Sequence, residues 1–265
     1  MEYKIEHKME TFFGFIGIIV ATTFLITAAL LTPGYNPLIN TVSSLGENVA
    51  KSLFSIGFVV AGSLGIPFFI QLERELINIK ESIRRLATGI SIFSCVCIAL
   101  VGIIPDETYT ELFYTFHIFV AFMSFAGTST YIGLYSYLMY KGGSSISYTG
   151  PKFKKYLSFL GLIIVITFAL LFIFLQPLIE WILTSLIIIW ILIASIQMLS
   201  FKFFNIPGEY YKKSDYPKAL QKFEQAIEIL ERLHLTNEPI MKTIEENINF
   251  LKEKLESNNN NMHTE

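Results

Sequence analysis

Charge is what this sequence has least of. Only 16% of its 265 residues are Asp, Glu, Lys or Arg, against about 25% in ordinary soluble domains. With 52% hydrophobic residues, that scarcity excludes a water-exposed surface over most of the chain. Net charge is −2, so the basic footprint of a nucleic-acid binder is missing. There are two cysteines, Cys95 and Cys97, both inside an apolar run. Two apart on a helix, they are separated by about 200° and point away from each other. That spacing makes them core residues and excludes a disulfide framework or a metal clip. Histidine is scarce too, with four in the chain, of which only His117 lies among the apolar runs. No Gly-x-Ser-x-Gly elbow and no His-Glu-x-x-His pair occurs, so the usual signatures of a serine hydrolase and a zinc peptidase are absent. No cofactor and no metal is expected.

What the chain does have is long uncharged runs. A bilayer core needs about 20 apolar residues in a helix, and six stretches qualify, at about 12–31, 53–70, 86–104, 112–138, 156–175 and 178–199. The first exceeds the apolar region of a signal peptide, about 7–15 residues, and ends in Leu30-Leu31-Thr32-Pro33 rather than at a small-residue cleavage site, so it reads as a retained span. The expected fold is all-α: a polytopic six-helix transmembrane bundle over 12–200, preceded by a polar segment 1–11. A small helical appendage over 201–256 follows, then a tail over 257–265 whose Asn run predicts disorder.

Within the bundle, Gly57, Ala61 and Gly65 place a small-xxx-small face on the second span. Pro67 predicts a kink near its end. Gln71 to Arg85 reads as a charged loop. The sixth span, nearly all aliphatic after Glu180, is expected to be the most lipid-exposed. Lys and Arg are divided ten to one between alternate loops, Lys51 being the one exception. By the positive-inside rule both termini are cytoplasmic.

The fourth span carries the richest pattern. At about 100° per residue, His117, Ala121, Ser124, Thr128, Tyr131 and Tyr135 fall on one face, and Leu112, Phe119 and Phe122 on the other. Lipid cannot satisfy the hydroxyls, so the stripe must face a helix seam or a polar cavity. Above it, in this topology, sit the acidic turn with Asp106 and Glu107 and the loop with Ser43, Ser44 and Glu47. A short amphipathic helix over Leu38 to Leu45 is expected there, with Ser44 as a candidate cap and Asp106 capping the fourth span. Ser, His and an acid together could form a nucleophile with its base and orienter. The same residues equally suit hydrogen bonding between loops and helices. This outer-face cluster of Ser43, Ser44, Glu47, Asp106, Glu107 and His117 is the candidate ligand site.

Two resemblances follow from these residues. Asn40-Thr41-Val42-Ser43-Ser44-Leu45-Gly46 and Val101-Gly102-Ile103-Ile104-Pro105-Asp106, with His117 beyond, resemble the uncharacterised integral-membrane family called domain of unknown function 998, over about Phe12 to Leu199. That likeness implies a compact helical bundle with a polar outer mouth, and no activity. Beyond it, Tyr210, Tyr211, Asp215, Tyr216, Ala219, Phe223 and Ala226 resemble a single tetratricopeptide repeat, about 207–234. The likeness implies two antiparallel helices packed on the alanines and Phe223.

Three functions fit. The favoured one is a lipid- or ligand-binding membrane scaffold, its partners membrane lipid at the outer mouth and a protein on residues 207–256. An intramembrane lipid-modifying enzyme using the outer Ser/Glu/Asp/His cluster is the alternative. A small transporter ranks third, because no span carries an acid at its middle and no paired broken helices are visible.

Overall fold

Backbone amides cannot be left unpaired in hydrocarbon, so each apolar run closes its own hydrogen bonds as a helix. The computed structural model describes residues 3–77, 79–104, 111–144, 153–204, 216–232 and 239–262. Six of its helices are long and apolar enough to cross a membrane. They are α1 (Tyr3–Leu31), α2 (Lys51–Glu75), α3 (Glu81–Ile103), α4 (Glu111–Ser144), α5 (Lys155–Phe174) and α6 (Pro177–Phe204). A short 3-10 helix, Ser43–Glu47, lies between α1 and α2, and α7 (Tyr216–Arg232) and α8 (Pro239–Met262) follow the bundle.

Most helices outlast the apolar runs that seed them. α1 begins inside the polar N-terminal segment, and α2 and α3 take up most of the stretch read as a charged loop, with only 76–80 between them. Glu, Arg, Lys and Gln are good helix formers, so nothing there stops propagation until the turn itself. Lys80 enters α3 with φ of 31°, a left-handed conformation uncommon outside glycine. Its ammonium donates to the Tyr137 hydroxyl at 2.6 Å and lies 5.0 Å from that ring's centre. Pro67 sits inside α2, which continues to Glu75. The surface helix expected over Leu38 to Leu45 is instead the later 3-10 turn. Leu38 and Ile39 are exposed, and an Asx-type bond from Leu38 N–H to Asn36 Oδ1 at 3.0 Å holds that corner.

Close backbone packing runs in chain order, α1 on α2, α2 on α3, α3 on α4 and α4 on α5. Two glycines permit the α2–α3 approach. A Cβ on Gly62 would stand 2.8 Å from the Ala99 nitrogen, and one on Gly102 2.7 Å from the Ser55 carbonyl oxygen. The small-residue face expected on α2 is split: Gly57 meets Phe24 and Ala21 of α1, and Gly65 meets the Cys95 sulfur of α3. Cys95 and Cys97 are both buried and unbridged.

α6 joins the bundle through long side chains. The Trp190 indole, fully buried, donates to Ser136 Oγ at 3.1 Å and to the Leu157 carbonyl at 3.2 Å. This overturns the expectation that α6 is the most lipid-exposed helix. The apolar window of α5 is 22% buried and that of α6 28%, because one buried indole and the small Ala194 and Ser195 anchor an otherwise aliphatic helix.

The chain divides into two units, Met1–Met198 and Leu199–Glu265. In the second, α7 and α8 pack on Ala226, Leu230, Met241, Ile244 and Ile248, with Leu220, Phe223 and Ile227 partly buried against them. Ala219 is fully buried and Tyr216 half-buried. Tyr210 lies outside the described residues; among the described residues the unit holds this one helix pair. α8 continues through the Asn run to Met262, where a disordered tail was expected; its backbone hydrogen bonds propagate past the last packed residue.

Candidate functional site

At the end of the bundle bearing the α1–α2 loop, a polar lattice ties that loop to α6. The Tyr35 hydroxyl donates to the Thr41 carbonyl at 2.6 Å and accepts from the Trp181 indole at 3.0 Å. Burial holds the Tyr35 phenol above its ordinary pKa, so it remains a donor. The Val42 N–H donates to the Glu180 carboxylate at 3.1 Å. Beneath this lattice Val42, Leu45, Ala50, Phe54, Val101 and Val120 form an apolar cluster.

The sequence-derived residues take their places in that lattice. Ser43 Oγ pairs with Thr41 Oγ1 at 3.2 Å. Ser44 Oγ donates to the Thr41 carbonyl at 2.8 Å, and the Ser44 N–H to Thr41 Oγ1 at 3.2 Å. Ser44, the candidate cap, lies inside the 3-10 helix, whose N-cap is Val42 with no side-chain cap bond; Thr41, just before it, accepts the Ser44 N–H. Glu47 is exposed. Asp106 and Glu107 lie outside the described residues, and with them the proposed Asp106 cap. His117 is 2% exposed. Its Nδ1 lies 2.7 Å from the carbonyl of Ile104, the C-cap of α3, while its Nε2 is buried with no partner among the described residues. Ser43 and Ser44 thus bond within their own loop, and His117 bonds to the C-cap carbonyl of α3. A groove of about 520 Å³ opens nearby, between Gly46, Lys51 and Phe54 on one side and Val101 to Ile104 on the other. Among the described residues no three His, Cys, Asp or Glu side chains come together.

The stripe on α4 turns inward along its length. Ser124 is 6% exposed, Thr128 2%, and Tyr131 and Tyr135 are fully buried, while Leu112, Phe119 and Phe122 are exposed. The stripe serves two environments. Ser124, Thr128 and Tyr131 line a half-enclosed cavity of about 120 Å³, walled by α1, α2, α3 and α6 as well. Tyr135 turns to the opposite end, where its hydroxyl donates to Thr88 Oγ1 at 3.0 Å and Thr88 donates to the Arg84 carbonyl at 3.0 Å.

That second environment was not legible beforehand. Arg84, 8% exposed, approaches the Glu73 carboxylate at 3.6 Å, and buried Gln71 bonds to Glu75. Spacing offered one hint: Arg84, Thr88, Ser91 and Cys95 recur along one face of α3. Thr22 and Thr184, which line the cavity from α1 and α6, gave none, since a lone threonine in a span is ordinarily satisfied by its own helix.

Comparison with known proteins adds one finding. No curated protein and no solved structure matches the chain. Residues 15–197 match the family described as "Protein of unknown function (DUF998)"; the match is confined to the bundle and does not reach α7 and α8. Since it covers well over half of the 265 residues and coincides with the six spans, this multi-pass membrane protein belongs to the DUF998 family.

Proposed function

We propose that this protein is a membrane-embedded binding scaffold that holds a lipid-like molecule without transforming it. The observation that carries this reading is the cavity inside the bundle. Protein interiors are close-packed, and this half-enclosed, almost wholly apolar space of about 120 Å³ is a break in that packing which a guest drawn from the bilayer can fill. The groove beside Lys51 provides a place for such a molecule to meet the bundle's outer end. Outward placement of that end, and cytoplasmic termini, rest on the ten-to-one division of Lys and Arg. The α7–α8 pair then serves as a cytoplasmic docking element for a protein.

A second reading, a lipid-modifying enzyme, has one observation in its favour, the unpartnered Nε2 of His117. Against it, the Ser43 and Ser44 hydroxyls are bonded to Thr41, leaving no serine poised beside the imidazole.

The test is native mass spectrometry of the full-length protein released from detergent. Wild type should carry a bound lipid-sized mass, and Ala61→Phe, which fills the cavity from α2, should lose it while melting no lower. Retention of the mass by a folded Ala61→Phe protein would place the ligand elsewhere; conversion of an added lipid by wild type would favour the enzyme.

A further inference from the structure

Hydroxyls in the spans of this protein usually satisfy themselves. Thr27 donates to the Thr23 carbonyl at 2.7 Å, Thr130 to Ala126 at 2.7 Å, Thr167 to Ile163 at 2.9 Å and Ser195 to Ile191 at 2.8 Å. This back-bonding to the preceding turn is what a lipid environment demands. Among the described residues five hydroxyls break the habit: those of Thr11, Thr22, Ser129, Tyr131 and Thr184 are buried with no hydrogen-bond partner. Three of the five, Thr22, Tyr131 and Thr184, line one cavity. Tyr131 is the most demanding of them, being 0% exposed and packed against Phe69 with ring centres 4.6 Å apart.

Their depth narrows the ligand. Thr22 lies nine residues from the Leu31 end of its span, Thr184 seven from Pro177, and Tyr131 eleven from Gly142. At about 1.5 Å per residue each sits roughly 10–16 Å inside its helix, well within hydrocarbon. None of the residues lining the cavity is charged. A phosphate, carboxylate or ammonium brought to this depth would meet no countercharge, and ionised groups are strongly disfavoured there. The lining on α1 runs from Phe13 to Leu25, about 18 Å along the helix, so the space is long and thin. The cavity is half-enclosed, so a chain that enters it from the bilayer need not be wholly engulfed.

We propose that the ligand is a neutral lipid bearing an uncharged hydroxyl or carbonyl oxygen, whose polar end and first few carbons occupy the cavity while the rest of its chain stays in the bilayer. It bonds through that oxygen to a hydroxyl among Tyr131, Thr22 and Thr184. This rests on the binding reading above and adds the chemical class of the ligand.

The test uses the full-length protein in lipid nanodiscs and three diazirine probes of one chain length: a long-chain alcohol, the matching alkane and the matching alkyl sulfate. Wild type should crosslink the alcohol about tenfold more than either of the others, the order expected for one or two buried hydrogen bonds. The labelled peptides should come from α1, α4 and α6. The near-isosteric triple variant Thr22→Val, Tyr131→Phe, Thr184→Val should take alcohol and alkane equally, with alkane labelling unchanged. Equal labelling of alcohol and alkane by wild type, or preference for the sulfate, would overturn the chemical class while leaving the cavity a lipid site. Failure of all three probes to label these helices would remove the binding reading as well.

Discussion

Trp181, at the start of α6, donates its indole N–H to the hydroxyl of Tyr35, in the loop after α1, at 3.0 Å across 146 residues of sequence. The two rings meet edge to face with centres 6.0 Å apart. The same indole reaches the Asn40 carbonyl at 3.2 Å, so a single side chain pins both ends of the loop's first turn. Trp181→Phe keeps the ring contact and removes the donor. It should cost about 1–2 kcal/mol, seen as a melting temperature a few degrees lower in detergent. Tyr35→Phe in the same background should add little, because the two act as one unit; full additivity would mean that they are independent.

His117 acts through Nδ1 on the carbonyl that ends α3. Asparagine places its amide where Nδ1 stands, and glutamine places its amide nearer Nε2. His117→Asn should therefore stay within about 1 kcal/mol of wild type, and His117→Leu should lose about 1–3 kcal/mol by orphaning the Ile104 carbonyl. The order is read from melting temperatures. A general base would behave differently: turnover of a lipid, if found, would vanish in both variants.

The α2–α3 seam depends on Gly62. Gly62→Ala drives a methyl into the backbone of α3 and should destabilise by about 1–3 kcal/mol. Gly89→Ala is the control, since nothing lies within 4 Å of its added carbon. Equal melting temperatures for the two variants would show that the helices can part at no cost.

Ala226 is 5% exposed between α7 and α8. Ala226→Glu buries an unpaired carboxylate, a change costing several kcal/mol, and should make the C-terminal pair protease-sensitive. The six spans, which form a separate unit, should still insert. Unchanged protease resistance would show that the pair does not depend on this packing.

Orientation is testable without removing the native cysteines, which are 1% and 3% exposed. A membrane-impermeant maleimide added to intact cells should label Val49→Cys, whose position is 88% exposed. Lys141→Cys should react only after permeabilisation. The reverse pattern would invert the topology.

The amino-acid order by itself determined what one helix can decide alone. Hydrocarbon forces each span to close its own hydrogen bonds, so run lengths set the number of helices. The period of 3.6 residues placed His117, Ser124, Thr128, Tyr131 and Tyr135 on one buried face of α4 before any neighbour was known. Where helices end was less legible, because the charged residues after Ile70 form helix as readily as loop. Tertiary structure alone decided the pairings of Trp181 with Tyr35 and of Glu180 with Val42. It also made the cavity, which belongs to no segment. A void is the mismatch between the surfaces of several helices, and Thr22 and Thr184 matter only because those surfaces bring them to its wall beside Tyr131.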